Sequence, residues 1–353
     1  MANISARLQH SAAAELRRQD QLLFRKLRAE VAQAGCMKPA PLVIGVHMLV
    51  TLCVYFGAYV VLLGDPAWGL RLTMLLAIAF ASVQAGYIAH EVGHLSFSRF
   101  VALSRFLGHV FLTLVSGYGH SIYKEKHNAH HAHTNEGGHD PDVSGGGLFT
   151  FYREAAASKR GIARWFTAHQ RILVWFMYGV IPFAAKRDSV VRYATGGRGT
   201  TRTGQLMLVA HFALWLIVPA MTLGPVDALV NFFLAGWLMG PYLGCVILLN
   251  HIGTLHLPKD HGMSRLRQAL LTTRNFGTGR LCDYLTGGTN HHLEHHLFPT
   301  VPISRLGEAR LITRRFCQLH DLPYHETTWF AGQRETLAYL SELSRYARQH
   351  GFC

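Results

Sequence analysis

The chain has 353 residues; half are hydrophobic and only 15% are charged, against about 25% charged in soluble domains, so a purely soluble domain is excluded. Its net charge is +14, yet no Lys/Arg block is interleaved with aromatic residues. That excludes nucleic acid as the partner and leaves basic loops against anionic lipid as the account. Six scattered cysteines (Cys36, Cys53, Cys245, Cys282, Cys317 and Cys353) form no C-x-x-C pair, which excludes a disulfide framework or zinc knuckle.

The first twenty residues have no apolar core of the kind a cleaved signal peptide needs. Residues 11–34 read as an amphipathic helix. Leu16, Leu23, Leu27 and Val31 mark one face, basic residues surround it, and Gly35 stops it. The pattern predicts a helix lying on the lipid interface, within an N-terminal region 1–41 that precedes the membrane domain 42–353.

Four apolar runs have about the 20 residues a bilayer span requires: 42–63, 72–89, 206–223 and 228–249. Short loops, "GDPAWGLR" and "GPVD", join them into two hairpins. Gly236, Gly240 and Gly244 recur every four residues in the fourth run, which predicts close helix packing there. Runs 101–115 and 172–183 are shorter, and the second contains Pro182; both read as interfacial. Residues 1–41 carry seven Lys/Arg and 185–203 carry five, whereas the hairpin loops carry Arg71 alone. The termini and the intervening segments are therefore expected to be cytosolic. The expected fold is all-α and integral to the membrane. Two hairpins carry a cytosolic helical cap, 90–203 and 250–353, holding a dimetal site.

Histidine is the outlier. Of 23 histidines, nine fall in 90–139 and seven in 251–296. Three groups share one grammar: "HEVGH" with His90 and His94; "KHNAHH" with His127, His130 and His131; "HLEHH" with His292, His295 and His296. On a helix, positions i, i+3 and i+4 converge, so each group offers two or three imidazoles to one place. A single zinc takes about four ligands, so eight imidazoles imply two metals. H-E-x-x-H is also the zinc-protease signature, but a protease has no use for two further H-x-x-H-H groups. Glu91 then reads as a carboxylate accepting from an imidazole N–H. Isolated His47, His109, His169 and His211 read as satisfied polar residues, and "GHDPDV" with Asp140 and Asp142 as a turn.

The three boxes, their order and their spacing resemble the membrane fatty acid desaturase family, nearest to its front-end branch. "KHNAHHAHTNEGGHDPD" is similar to that branch's second box and "LTGGTNHHLEHHLFPTVP" to its third; the likeness runs from about His90 to Tyr324. It implies two non-haem iron ions held by His90, His94, His127, His130, His131, His292, His295 and His296, with O2 as co-substrate. It implies a long acyl chain, linked to CoA, a carrier protein or phospholipid, entering between the helices. It also implies a further ligand near the end of the fourth span, His251, ahead of His256 and Asn250. Two features depart from the branch. His292 stands where front-end enzymes usually carry Gln, and no His-Pro-Gly-Gly haem motif occurs in these 353 residues. Electrons are therefore expected from a separate donor such as ferredoxin or cytochrome b5. Imidazole ligands suit iron, zinc or copper, but attack on an unactivated methylene needs a redox metal. An acyl or lipid hydroxylase on the same scaffold is the nearest rival, and a histidine-rich metal transporter a more distant one.

Overall fold

The computed structural model describes residues 2–143 and 147–350, with backbone alone for 2–13; Cys353 lies outside the described residues. Four helices are long and apolar enough to cross a membrane: Pro41–Leu63, Trp68–Gly93, Arg202–Thr222 and Pro225–Asn250. Leu49, Val60, Val209 and Met221 point outward from them, exposed, as lipid-facing side chains must. The other five cysteines are unpaired.

The second span begins earlier than its apolar run, because Arg71 belongs inside it. Its guanidinium is buried and pairs with Asp65 in the first hairpin loop and Asp227 in the first turn of the fourth span. A paired charge no longer ends a helix that an unpaired one would have kept out of lipid.

The run 172–183 is not a short piece. It is the first half of a 25-residue helix, Gln170–Ala194, with Pro182 inside. Its partner is the glycine stripe of the fourth span. A Cβ at Gly240 would collide with the Tyr178 carbonyl, one at Gly244 with the Tyr178 ring, and one at Gly236 with the Phe183 ring. The stripe therefore seats this helix, and the expected close packing is found there. The run 101–115 is covered by protein over half its length. Phe100, Val101 and Phe106 stay exposed, whereas Phe111, Leu112 and Val115 are buried against the first two spans. At Ser116–Gly119 the chain bends by 108° into helix His120–Ala132.

The N-terminal helix Ala2–Gln33 also differs from expectation. Leu27 and Val31 are fully buried, in one cluster with Leu266, Leu270, Phe298 and Phe316. Protein, not lipid, covers this part of its apolar face, and Asp20 accepts from Arg267 and Ser264 to fix it. The remaining cap joins helices through loops, with one two-residue parallel pair among the described residues, Asn275–Phe276 with Glu326–Thr327, and an isolated bridge between Glu136 and Leu257. Just before that pair, buried Arg274 donates to the carbonyls of Leu249 and Ile252 and pairs with Glu335 at 2.6 Å. This guanidinium ties off the end of the fourth span, where its last carbonyls lack helical partners.

Candidate metal centre

All three boxes meet at one end of the four spans. His90 lies on the last turn of the second span and His94 caps it, its N–H reaching the His90 and Glu91 carbonyls. His127, His130 and His131 lie on helix His120–Ala132, and His292, His295 and His296 on helix His292–Leu297. Box three approaches the second span closely. At Gly287, φ is +58° and any Cβ would collide with the Tyr87 ring, so this position needs glycine.

The rings fall into two clusters. His90, His94, His127, His131 and His295 form one; His130, His251, His292 and His296 form the other. Helical geometry explains the split. Positions i and i+4 lie about 40° apart around the axis, and i+3 points to the neighbouring side. Box two thus sends His127 and His131 to the five-ring cluster and His130 to the four-ring one. Box three does the reverse, sending His295 to the first and His292 and His296 to the second. His251, just beyond the fourth span, completes the second set.

Within the five-ring cluster, Nε2 atoms of His90 and His295, His94 and His127, and His131 and His295 are 2.9 Å apart, and those of His131 and His127 are 3.0 Å apart. In the four-ring cluster the separations are 3.1 Å for His130–His251, 2.7 Å for His292–His251 and 3.1 Å for His296–His292. Two imidazole nitrogens bound at right angles to one metal at about 2.1 Å would lie about 3 Å apart, so both clusters match metal-ligand spacing.

Tautomers make the case stronger. His251 Nδ1 faces the Thr272 carbonyl at 2.9 Å, so it must donate. Thr134 Oγ1 gives its own proton to the His130 carbonyl, so at 3.1 Å it accepts from His296 Nδ1. Both rings therefore turn an Nε2 lone pair inward. His130 Nδ1 donates to Asp140 at 3.0 Å. Lone pairs converging within 4.8 Å of one another repel unless a cation lies between them. Burial, then neighbouring rings, hold His131, His292, His295 and His296 well below their ordinary pKa, and His251 at about 3. These rings are neutral and able to coordinate at pH 7. For His130 burial lowers the pKa, but Asp140 and Asp142 outweigh it and the net direction is up. A divalent cation at the same point would replace that proton. The residues present thus fit a dimetal site.

Several side chains behave differently from their sequence reading. Glu91 accepts from the Ile303 backbone N–H at 2.9 Å rather than from an imidazole; the cap helix starting at Ile303 docks on it. Asp140 makes the expected turn, accepting from the N–H groups of Asn135 and Asp142, and it also orients His130. Glu294, inside box three, is buried and accepts from Asn275 and the Tyr324 hydroxyl. Sequence reasoning missed that anchor, although the Glu between paired histidines was its signal. His291 turns away from the clusters to Asp283, at 2.8 Å. His47, His109, His169 and His211 each have a polar partner outside the clusters. His256 stacks near Tyr152 and Tyr339 and joins neither cluster.

Comparison with known proteins agrees with this geometry. The model of the fatty acid desaturase family matches residues 66–328. The chain belongs to the fatty acid desaturase family. The desaturase is similar to the Delta(6)-fatty-acid desaturase fat-3 of Caenorhabditis elegans, 27% identical over 92% of this chain and 75% of the relative. It is 24% identical to the Delta(8)-fatty-acid desaturase of Euglena gracilis, over 92% of this chain and 80% of the other. The acyl-lipid 8-desaturase of Rebecca salina is 29% identical over 86% and 70%. The desaturase is thus an oxidoreductase and an integral membrane protein with histidine clusters suited to metal.

Proposed function

We propose that the desaturase holds two non-haem irons and uses O2 to place a cis double bond in a long acyl chain. A separate protein such as a ferredoxin or cytochrome b5 supplies electrons, and the termini and metal centre face the cytosol. The observation that carries this reading is the five-plus-four arrangement of nine neutral-capable imidazoles, a donor set for two redox metals. His90, His94, His127, His131 and His295 hold one iron; His130, His251, His292 and His296 hold the other. The irons supply dioxygen activation and the removal of one hydrogen from each of two adjacent methylenes.

The protein's own work is positioning. Asp140, the Thr272 carbonyl and Thr134 fix three rings of the four-ring set. A small recess adjoins His90, His94 and His295, and Pro299, Val301, Ile303 and Leu306 supply its apolar wall. An acyl methylene held against that wall gains the orientation that intramolecular chemistry rewards. The substrate class follows from relatives named as Delta(6), Delta(5) and Delta(8) fatty acid desaturases and as an acyl-lipid desaturase. The test is expression in a host of defined lipids, followed by mass spectrometry of its fatty acids and metal analysis of the purified chain. Products lacking two hydrogens, with about two irons per chain, are expected. Products carrying an added oxygen would make it a hydroxylase, and full turnover with zinc alone would remove the redox mechanism.

A further inference from the structure

Three residues outside the nine-ring centre gather on the loop that follows box two. His133 Nδ1 lies 2.7 Å from one carboxylate oxygen of Glu136, and His139 Nδ1 lies 2.9 Å from the other. The three donor atoms lie within 4.8 Å of one another. Consecutive turns produce this: the Glu136 N–H bonds the His133 carbonyl, and the His139 N–H bonds the Glu136 carbonyl. Three side chains spaced three residues apart thus emerge on one side.

The base of the cluster is rigid. The Glu136 side chain is almost wholly buried and accepts from the Asp260 N–H at 2.9 Å. Its backbone is bridged to the facing segment, Leu257 N–H to Asn135 and Gly137 N–H to Leu257. The rings above it are 43% and 31% exposed, so solvent reaches the open side. His261 also approaches, its Nε2 3.9 Å from Glu136. Its Nδ1, however, accepts from the Met263 N–H. The proton of the neutral ring therefore sits on Nε2, which has no lone pair to offer.

We propose that His133, Glu136 and His139 form a third metal site, separate from the dimetal centre, which takes an exchangeable divalent cation of the Zn2+ class. Two imidazoles and one carboxylate with an open position for water are a zinc-type donor set. Two nitrogen donors disfavour Mg2+ and Ca2+, which prefer oxygen. Without a cation, each ring donates its Nδ1 proton to Glu136. On binding, the metal takes the place of those two protons, and each ring carries its remaining proton on Nε2. Binding therefore releases protons to solvent if the rings start charged and otherwise only shifts the tautomer, with no redox step. None of the three is among the nine rings, so iron content and turnover report on the dimetal centre independently.

The experiment uses the full desaturase in detergent micelles, with Zn2+ as the probe. The chain is equilibrated with Zn2+, freed of excess, and its zinc, iron and activity are measured. Wild type should retain about one more zinc per chain than the double variant His133→Gln with His139→Gln, and than Glu136→Gln. The variants should keep desaturase turnover within about twofold, since Gln at 133 and 139 still offers an N–H to Glu136, and Gln at 136 can still accept from the Asp260 N–H. Equal zinc in wild type and variants would overturn the site. A second measurement needs no variant. Zn2+ should slow diethylpyrocarbonate modification of His133 and His139 at least about tenfold, while leaving exposed His320 and His350 unchanged. Equal modification rates with and without Zn2+ would equally overturn it.

Discussion

The two imidazole clusters are built on opposite principles. The four-ring cluster is held from behind: His130 by Asp140, His251 by the Thr272 carbonyl, His296 by Thr134. Its rings are nearly all buried. The five-ring cluster has one ring more and less support. The Nδ1 atoms of His90 and His131 are buried without a hydrogen-bond partner, against His292 alone in the four-ring cluster, and four of its five residues are partly exposed. One site is made by orienting few ligands, the other by supplying many. A ring whose far nitrogen is anchored keeps its tautomer and angle without a metal. A ring lacking an anchor depends on its neighbours and on the metal to stay in place. The less anchored site is also the one beside the recess lined by His90, His94 and His295.

The largest expected effect comes from removing a ligand of either cluster. His130→Ala and His295→Ala should each reduce turnover by at least about 100-fold and lower bound iron. The comparison sharpens in the remaining metal. His130→Ala removes one of only four rings, so its iron should fall toward one per chain. His295→Ala leaves four rings at its site, so more of the metal should stay although activity is lost. Metal analysis of the two purified variants checks this, and identical iron loss in both would break the asymmetry.

Next comes Asp140→Asn, which keeps shape and removes charge. It should weaken metal retention by about 10- to 100-fold at the four-ring cluster alone, measured as iron lost to a chelator over time. Among the described residues the five-ring cluster has no equivalent carboxylate, so half the iron should leave at the wild-type rate. The His292 series follows. His292→Gln offers a carbonyl oxygen at similar reach and should keep measurable activity, about tenfold reduced, whereas His292→Ala should be inactive. His291→Ala should keep full iron content and most activity, because that ring faces Asp283 and lies near Arg310 rather than a cluster. An inactive His291→Ala beside an active His292→Ala would mean the register of box three is wrong by one residue.

Much of this was written in local sequence. The spans follow from run length alone, because lipid leaves few alternatives to an apolar helix. The H-x-x-H-H spacing places three rings on adjoining helix sides, and its repetition signals two metals. What sequence did not carry was partner identity across the fold. The Gly236–Gly244 stripe announced close packing but not that Gln170–Ala194 would fill it, since Pro182 and the charges after it disguise a 25-residue helix. Arg71 ended an apolar run on paper, yet its charge is cancelled by acids six and 156 residues away. Leu27 and Val31 make an amphipathic stripe that serves lipid or protein equally well; only the position of the 266–316 helices decides. Asp140 looked like turn chemistry and is, but the turn also aims its carboxylate.

The smallest expected effect tests the residue whose motif was most suggestive. In H-E-x-x-H metalloproteases the Glu is the general base, and Glu91 does line the recess beside His90 and His94. Yet its carboxylate is engaged by the Ile303 N–H, where the cap helix begins. The amide oxygen of Gln at this position can accept the same bond, so Glu91→Gln should keep both irons and lose no more than about threefold in turnover. Glu91→Ala leaves that part-buried N–H unpaired, which costs about 1–3 kcal/mol of stability at most. The expected signature is thus a lowered thermal midpoint in the alanine variant with iron and turnover retained below it. If Glu91→Gln instead loses at least about 100-fold in turnover with both irons bound and the midpoint unchanged, the carboxylate takes part in proton transfer at the five-ring cluster. Docking of the cap would then not be its main role.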